Sequence, residues 1–364
     1  MNLGLRLTVA TLSAAMALTS TVVSSTPAGA DETDGPAIFR PDDPRLTYEG
    51  HWAVTEQHAI TVNSGSQLTF RFTGSSLSAA FDTASITVPS QLYVTIDSSA
   101  PQLVKVGEPS IELATGLGAG IHTAHFAVKD VDEYENRWIL PLQSGVVLDG
   151  IRLDHGAELL PLRDPQAHRL EFYGDSITEG VMAQCPVLGV DCADGTKDYA
   201  YLVGEAFDAN TNQVGFGKQG IIQPGHGNVG TASESFGWLL SGFPAEPFHP
   251  DAVVVNFGTN DAPWSGQEFR PRYLSYLRQV RAANPHAHIF ALRPFNGTHA
   301  ADVAAAVDEL NDPATTYVDT TGWLTAGTQD YNGGAHPSVE GHRKVADQLV
   351  RVLEDALGWN ASSL

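Results

Sequence analysis

The stretch Arg169-Leu-Glu-Phe-Tyr-Gly-Asp-Ser-Ile-Thr-Glu-Gly180 decides how the rest of the chain is read. Leu170–Tyr173 has the apolar content of a short strand, Gly174 breaks it, and the residues that follow open a helix. A serine at such a junction holds its hydroxyl at the carboxyl edge of a sheet and its N–H at a helix N-terminus, where negative charge is stabilised. Ser176 therefore stands where a nucleophile could stand. Asp and Ser are also the preferred helix-capping residues, and this stretch alone does not separate the two readings.

Downstream, apolar runs and helical periods alternate. Strands are expected at Leu170–Tyr173, Gln213–Phe216, Ala252–Asn256, His288–Leu292 and Thr316–Asp319. Helices are expected over Asp198–Phe207, around Phe269, Tyr273, Leu277 and Val280, over Ala300–Leu310, and from Ser338 onward. In the last of these, Ser338 is the expected N-cap, and Val345, Leu349, Val352 and Ala356 are expected on one face. Alternating strand and helix with apolar strands predicts an α/β fold, a parallel sheet covered on both faces by helices. Sites in such sheets form at the carboxyl ends of the strands. Those ends deliver Ser176, then Gly217, then Gly258-Thr-Asn-Asp261, and finally Tyr331-Asn-Gly-Gly-Ala-His-Pro337.

Upstream, from about Arg40 to Leu153, the period is two. Leu68, Phe70 and Phe72 alternate with polar residues, as do Leu77, Ala79 and Phe81, then Leu92, Val94 and Ile96, then Ala124, Phe126 and Val128. Turn signals such as Asn63-Ser-Gly65 separate the runs, which predicts an antiparallel, jelly-roll-like β-sandwich. His122, a single histidine in one of these strands, reads as packed or surface rather than catalytic. Pro161 and Pro165 interrupt the stretch Asp154–His168, so the domain boundary is placed there, with a sandwich over 31–160 and an α/β domain over 161–364. Residues 1–30 carry Arg6, an apolar run from Leu7 to Leu18 and the small-x-small site Ala28-Gly-Ala30, the pattern of a cleaved secretory signal. An extracellular location is expected.

The chain is acidic, with a formal net charge of −22. Such a surface repels phosphate backbones and anionic lipid, so nucleic-acid and membrane partners are not expected, and a neutral polymer or ester is the easier ligand. Cys185 and Cys192 are the two cysteines. In an exported chain a pair this close reads as a disulfide closing a short loop. No Cys or His partner stands at metal-site spacing, and His286 and His288 lack a third ligand, so neither metal nor cofactor is expected.

Acyl transfer needs a nucleophile, a base within reach and donors aimed at the oxyanion. Ser176 can supply the first and His336 the second, with Pro337 holding His336 extended. The donors would be the N–H groups of Ser176 and Gly217 and the amide of Asn260. Gly217 and Asn260-Asp261 could equally be turn residues, and His342 is expected on the exposed side of the last helix. Their order along the chain is what joins them into one site.

In that order, Gly174-Asp-Ser-Ile177, Gly217, Gly258-Thr-Asn-Asp261 and His336-Pro337 resemble the four blocks of the SGNH, or GDSL-like, hydrolases. The resemblance covers about 169–345 and implies a three-layer α/β/α fold. It also implies Ser176 as nucleophile, Gly217 and Asn260 in the oxyanion hole and His336 as base. A sandwich ahead of that domain is similar to the arrangement in carbohydrate esterase family 2, secreted enzymes that deacetylate plant polysaccharides. One position departs. Where the superfamily has an Asp three residues before the histidine, this chain has Gly333. A main-chain carbonyl near Gly333, the Asn332 side chain or Asp330 are the candidates to orient His336 in its place. Trp264, next to the third block, and Asp261 are candidates to face a sugar, while Trp138 is expected in the core.

The function expected is a monomeric, metal-independent O-acetyl esterase acting on acetylated xylan or glucomannan. The rivals are an SGNH lipase or arylesterase on other acyl esters, and a non-catalytic carbohydrate-binding protein.

Overall fold

The computed structural model describes residues 35–162 and 166–362. The expected signal segment, residues 1–30, and the expected start of the mature chain lie outside them.

The parallel sheet has five strands in the order 209–215, 168–174, 252–256, 288–292, 315–318. Strand His168–Gly174 is flanked by the two strands that follow it in sequence, so the topology reverses at the strand that leads to Ser176. That switch point is where an open α/β sheet leaves a crevice at its carboxyl edge. Strand Ala252–Asn256 is buried on both faces, which is why it reads as an unbroken apolar run.

Alternate residues of the strands feed two cores. Tyr173, Val214, Val253, Val255 and Ile289 pack under the helices Gly266–Ala283 and Ala300–Leu310. Leu170, Phe172, Val254, Phe290 and Leu292 pack under Tyr199–Ala206 and Val339–Leu357. The result is the three-layer arrangement expected. Ser338 caps the last helix, its Oγ accepting from the Gly341 N–H at 3.1 Å. The buried stripe of that helix differs from the expected one. It runs through His342, Val345, Ala346, Leu349 and Leu353, leaving Ala356 exposed, because a true 3.6-residue period reaches Leu353 rather than Val352. His342 is thus fully buried instead of exposed; its Nδ1 accepts from the Tyr199 N–H at 3.2 Å, and burial lowers its pKa to about 3.

The first part of the described chain forms two six-stranded antiparallel sheets. Leu68, Phe70, Phe72, Leu92, Val94, Phe126 and Val128 of one face Leu77, Ala79, Phe81, Val146, Leu148 and Ile151 of the other. The alternation read from the sequence is therefore the inner face of a sandwich. Part of the stretch expected as a linker is itself a strand, with Leu159–Leu160 pairing beside Phe72 and Arg71. Ile60, Val62, Trp138 and Leu142 leave the sandwich to join the core of the α/β part, and Trp138 meets Phe216 edge-on at 5.7 Å.

Candidate active site

Ser176 begins a four-residue helix that ends at Gly180 in the left-handed conformation. Gly174 is required by close packing, since a Cβ there would fall 2.0 Å from Thr178 Oγ1. Asp175 caps the helix, its Oδ1 accepting from the Ile177 N–H at 2.9 Å and its Oδ2 from the Asn260 amide at 3.1 Å. Of the two residues it is Asp175 that caps, which leaves the Ser176 hydroxyl free of any capping role. Full burial pushes the Asp175 carboxyl up to about 7 against the pull of the Ile177 N–H.

His336 faces the serine, with Nε2 at 2.9 Å from Ser176 Oγ. It lies on a small hairpin, Tyr331–Gly333 paired with His336–Pro337, that reaches across from beyond the last strand of the sheet. The pairing sets Gly333 opposite His336, and the Gly333 carbonyl accepts a hydrogen bond from the imidazole. With Nε2 turned to the hydroxyl, this bond belongs to Nδ1–H and sets the tautomer that leaves Nε2 free to take a proton. Burial lowers the His336 pKa, and the carbonyl opposes part of that shift.

The other two candidates for orienting His336 are spent elsewhere. Asn332 donates from Nδ2 to the carbonyls of Met182 and Ala183, both at 2.8 Å, which fastens the hairpin to the chain just past the nucleophile helix. Asp330 pairs with Lys344 at 2.6 Å and accepts from the Thr325 N–H, and the Lys344 ammonium holds its carboxyl below the usual range. The Asp330→Ala protein is expected to keep kcat within a few-fold of the parent, measured on a chromogenic acetate. A loss near the roughly 10⁴-fold seen when a triad Asp is neutralised would make Asp330 the third catalytic member.

The expected oxyanion donors are not equally free. Among the described residues the Ser176 N–H, first of its helix, has no hydrogen-bond partner. The Gly217 N–H is directed to the Glu179 carboxylate, and a Cβ on Gly217 would collide with Glu133. Gly217 is thus a glycine of close approach, but to protein rather than to an open site. It occupies a turn closed by the Gln219 N–H on the Phe216 carbonyl at 3.1 Å. Lys218, the third residue of that turn, is left-handed at φ 61°, and its N–H has no partner among the described residues. A non-glycine residue in that conformation costs roughly 1–2 kcal/mol, strain of the kind found where a backbone is held for function. Asn260 donates to Asp175 and, at 3.0 Å, to the Gln219 carbonyl, so it ties the nucleophile turn to this loop and must exchange one partner to reach an oxyanion.

Asp261 does not face a ligand. It is fully buried, and its carboxylate accepts from the N–H groups of Ile221, Ile222 and Gln223 at 2.8–3.1 Å. Trp264 is half-buried just beyond it. Cys185 and Cys192 form a disulfide with Cα atoms 5.0 Å apart. Their loop leans on the sandwich, where Lys129 Nζ donates to the carbonyls of Val190 and Ala193 at 2.6 Å. His122 is packed between Asp97 and the Gly118 carbonyl, far in sequence and partners from Ser176. Among the described residues no group of three or more His, Cys, Asp or Glu side chains is arranged to hold a metal ion, and no helix is long and apolar enough to cross a membrane.

Three residues around the site carried no signal in the sequence. Arg137 and Glu133 come from the sandwich and reach Glu179 and Gly217, partners 42 and 84 positions away, so no local spacing marks them. Lys218 lies between Gly217 and Gly220, and a lysine in a left-handed turn position carries no sequence signal because glycine is the residue that usually fills it.

Residues 172–344, which contain Ser176, Asn260 and His336, match the GDSL-like Lipase/Acylhydrolase family. A cellulase/esterase, CelE, of Acetivibrio thermocellus is 24% identical over 87% of this chain, which spans 40% of that protein's length. An acetylxylan esterase/glucomannan deacetylase of Cellvibrio japonicus is 24% identical over 82% of this chain and 87% of its own. The solved structure of a family two carbohydrate esterase from Cellvibrio japonicus has a TM-score of 0.76 at 19% identity, covering 89% of this chain and 98% of that one. A likeness of that extent takes in the sandwich as well as the α/β part, and so fixes the fold of both. The part of this chain that brings the Ser176 turn, Asn260 and His336 together is thus similar to the GDSL-like Lipase/Acylhydrolase family over residues 172–344.

Proposed function

We propose that the protein is an extracellular carbohydrate O-acetyl esterase, with the sandwich of 31–160 bracing a hydrolase domain of 161–364. The observation that carries the chemistry is the 2.9 Å contact of His336 Nε2 with Ser176 Oγ, with the ring turned by the Gly333 carbonyl. Ser176 Oγ attacks the acetyl carbonyl as His336 takes its proton, and the oxyanion is held by the N–H of Ser176, the backbone of the Gly217–Lys218 turn and the Asn260 amide. As the bond between the acetyl carbon and the sugar oxygen breaks, His336 gives its proton to that oxygen, which leaves as the hydroxyl. Water, activated by the same imidazole, releases acetate from acetyl-Ser176. Each oxyanion donor in such a site is worth roughly 3–4 kcal/mol of transition-state stabilisation.

The substrate class is supported by one of the similar proteins, named as an acetylxylan esterase/glucomannan deacetylase, and by the acidic chain, which suits a neutral polymer. Acetate release from acetylated xylan and glucomannan, measured beside a series of esters of increasing acyl length, is the test. The expected result is release from at least one polysaccharide and a steep fall beyond acetyl. Preference for long acyl chains would replace this reading with a lipase.

A pH profile adds a second check. The base must be neutral to accept the serine proton, so kcat/KM falls as pH drops through the His336 pKa, about tenfold per pH unit on the acid side. Because burial lowers that pKa, the midpoint is expected below 6.5. A midpoint above 7 would show that the imidazolium is stabilised and that a carboxylate, not a carbonyl, orients the ring.

A further inference from the structure

The helix that carries Ser176 also carries Glu179, three residues on, whose side chain points away from the crevice into the junction with the sandwich. Arg137 meets it there. Arg137 Nη2 donates to Glu179 Oε2 at 3.0 Å and Nη1 donates to Oε1, a two-pronged pair with both side chains 0% exposed. The same guanidinium lies over the Phe216 ring, 5.1 Å from its centroid, so it touches the first residue of the Phe216–Gln219 turn as well. Other sandwich groups close on the same two elements. Ser64 Oγ donates to the Glu179 carbonyl at 2.7 Å, Asn63 Nδ2 donates to the Gly215 carbonyl at 3.0 Å, and Glu133 fills the space beside Gly217.

A buried ion pair is a poor device for stability, since apolar residues of the same volume often serve as well or better. It is a good device for register. The guanidinium is planar, with its donors in a fixed fork, so two bonds to one carboxylate leave little freedom of angle or distance. Here the fork joins the nucleophile helix to the turn that would face the oxyanion, and both are anchored to a part of the chain that contributes no reacting group.

We infer that Arg137, through Glu179, is a positioning residue for the reaction, so that the sandwich is a working part of the active site rather than an appended module. This rests on the hydrolase reading of Ser176 and His336. Arg137 sets the distance between the Ser176 hydroxyl and the Lys218 N–H, and its loss lets the helix and the turn relax independently.

Four proteins test it: the parent, Arg137→Lys, Arg137→Met, and the double variant Arg137→Met with Glu179→Met. Each is assayed for thermal unfolding, for kcat and KM on a chromogenic acetate, and for the rate of covalent labelling at Ser176 by a fluorophosphonate. Arg137→Met leaves a lone buried carboxylate, so it is expected to lower the melting temperature sharply. The double variant removes that charge and is expected to regain most of the melting temperature. Its kcat is expected to stay about 10²-fold down, with KM within about threefold, because displacements near 1 Å cost that much in rate. Arg137→Lys keeps a charge without the fork and is expected to recover stability but only part of kcat. Recovery of melting temperature, kcat and labelling rate together in the double variant would overturn the inference, leaving a structural role only. Labelling needs the nucleophile and base but no ester of a particular acid. A parent that labels yet hydrolyses no acetate therefore refutes the substrate assignment while the labelling rates of the variants still decide the role of Arg137.

Discussion

The Ser176→Ala protein is expected to release acetate about 10⁶-fold more slowly than the parent, in line with the loss of a serine nucleophile in other hydrolases. The reason lies in the geometry. Ser176 Oγ is the group that His336 Nε2 contacts, and among the described residues no other hydroxyl is hydrogen-bonded to that imidazole to give it a proton and attack the ester. The melting temperature is expected to be nearly unchanged, since the hydroxyl caps nothing and its side-chain partner is the histidine. His336→Ala is expected to cost a similar factor, and the double variant to be no worse than either single one, because nucleophile and base act as a unit. Acetate release and intact fold are measured on the same preparations. Ser176→Ala protein that still deacetylates at the parental rate would end the assignment, and fully additive losses would show that the two residues do not act in one step.

A second large effect is expected at a residue that touches no substrate. Asp261→Ala removes the acceptor for three backbone N–H groups of Ile221, Ile222 and Gln223 in a site closed to solvent. A buried donor left without a partner costs about 1–3 kcal/mol, and two of the three bonds are only part-buried, so the loss is expected to be roughly 3–6 kcal/mol by denaturant unfolding, below the three-fold maximum. Such a loss is a large share of a typical domain's stability. Asp261→Asn retains one acceptor oxygen and is expected to lose about half as much. Activity in the surviving folded protein should fall as well, because the loop that Asp261 holds also supplies the Gln219 carbonyl that Asn260 rests on. A change below about 1 kcal/mol together with a raised KM for polysaccharide would place Asp261 in the substrate crevice instead.

The sheet strands followed from apolar runs, and the run Ala252–Asn256 was legible to the residue because a strand buried on both faces has no polar interruptions. Gly174-Asp-Ser-Ile177 and His336-Pro337 were legible because strand–turn–helix junctions have local composition, and their convergence followed from the rule that binding sites lie at the carboxyl ends of parallel strands. The sandwich was legible from its period of two. Burial of His342 was written in the same pattern as Val345 and Leu349, three and seven residues on, but a histidine in an apolar stripe was read as exposed.

By itself, then, the sequence determined the two architectures and the convergence of Ser176 and His336 on one sheet edge, both of which depend on contacts between near neighbours or on a general rule of topology. Only the tertiary structure decided which groups are spent and which are free. It turned the Gly217 N–H toward Glu179, left that of Lys218 without a partner among the described residues, buried Asp261 under a loop, and put the Gly333 carbonyl at the histidine where an aspartate was missing. It also brought Arg137 to Glu179. Hydrogen-bond partners are chosen by packing across long stretches of chain, and a residue's type states what it can donate or accept but not which neighbour will claim it.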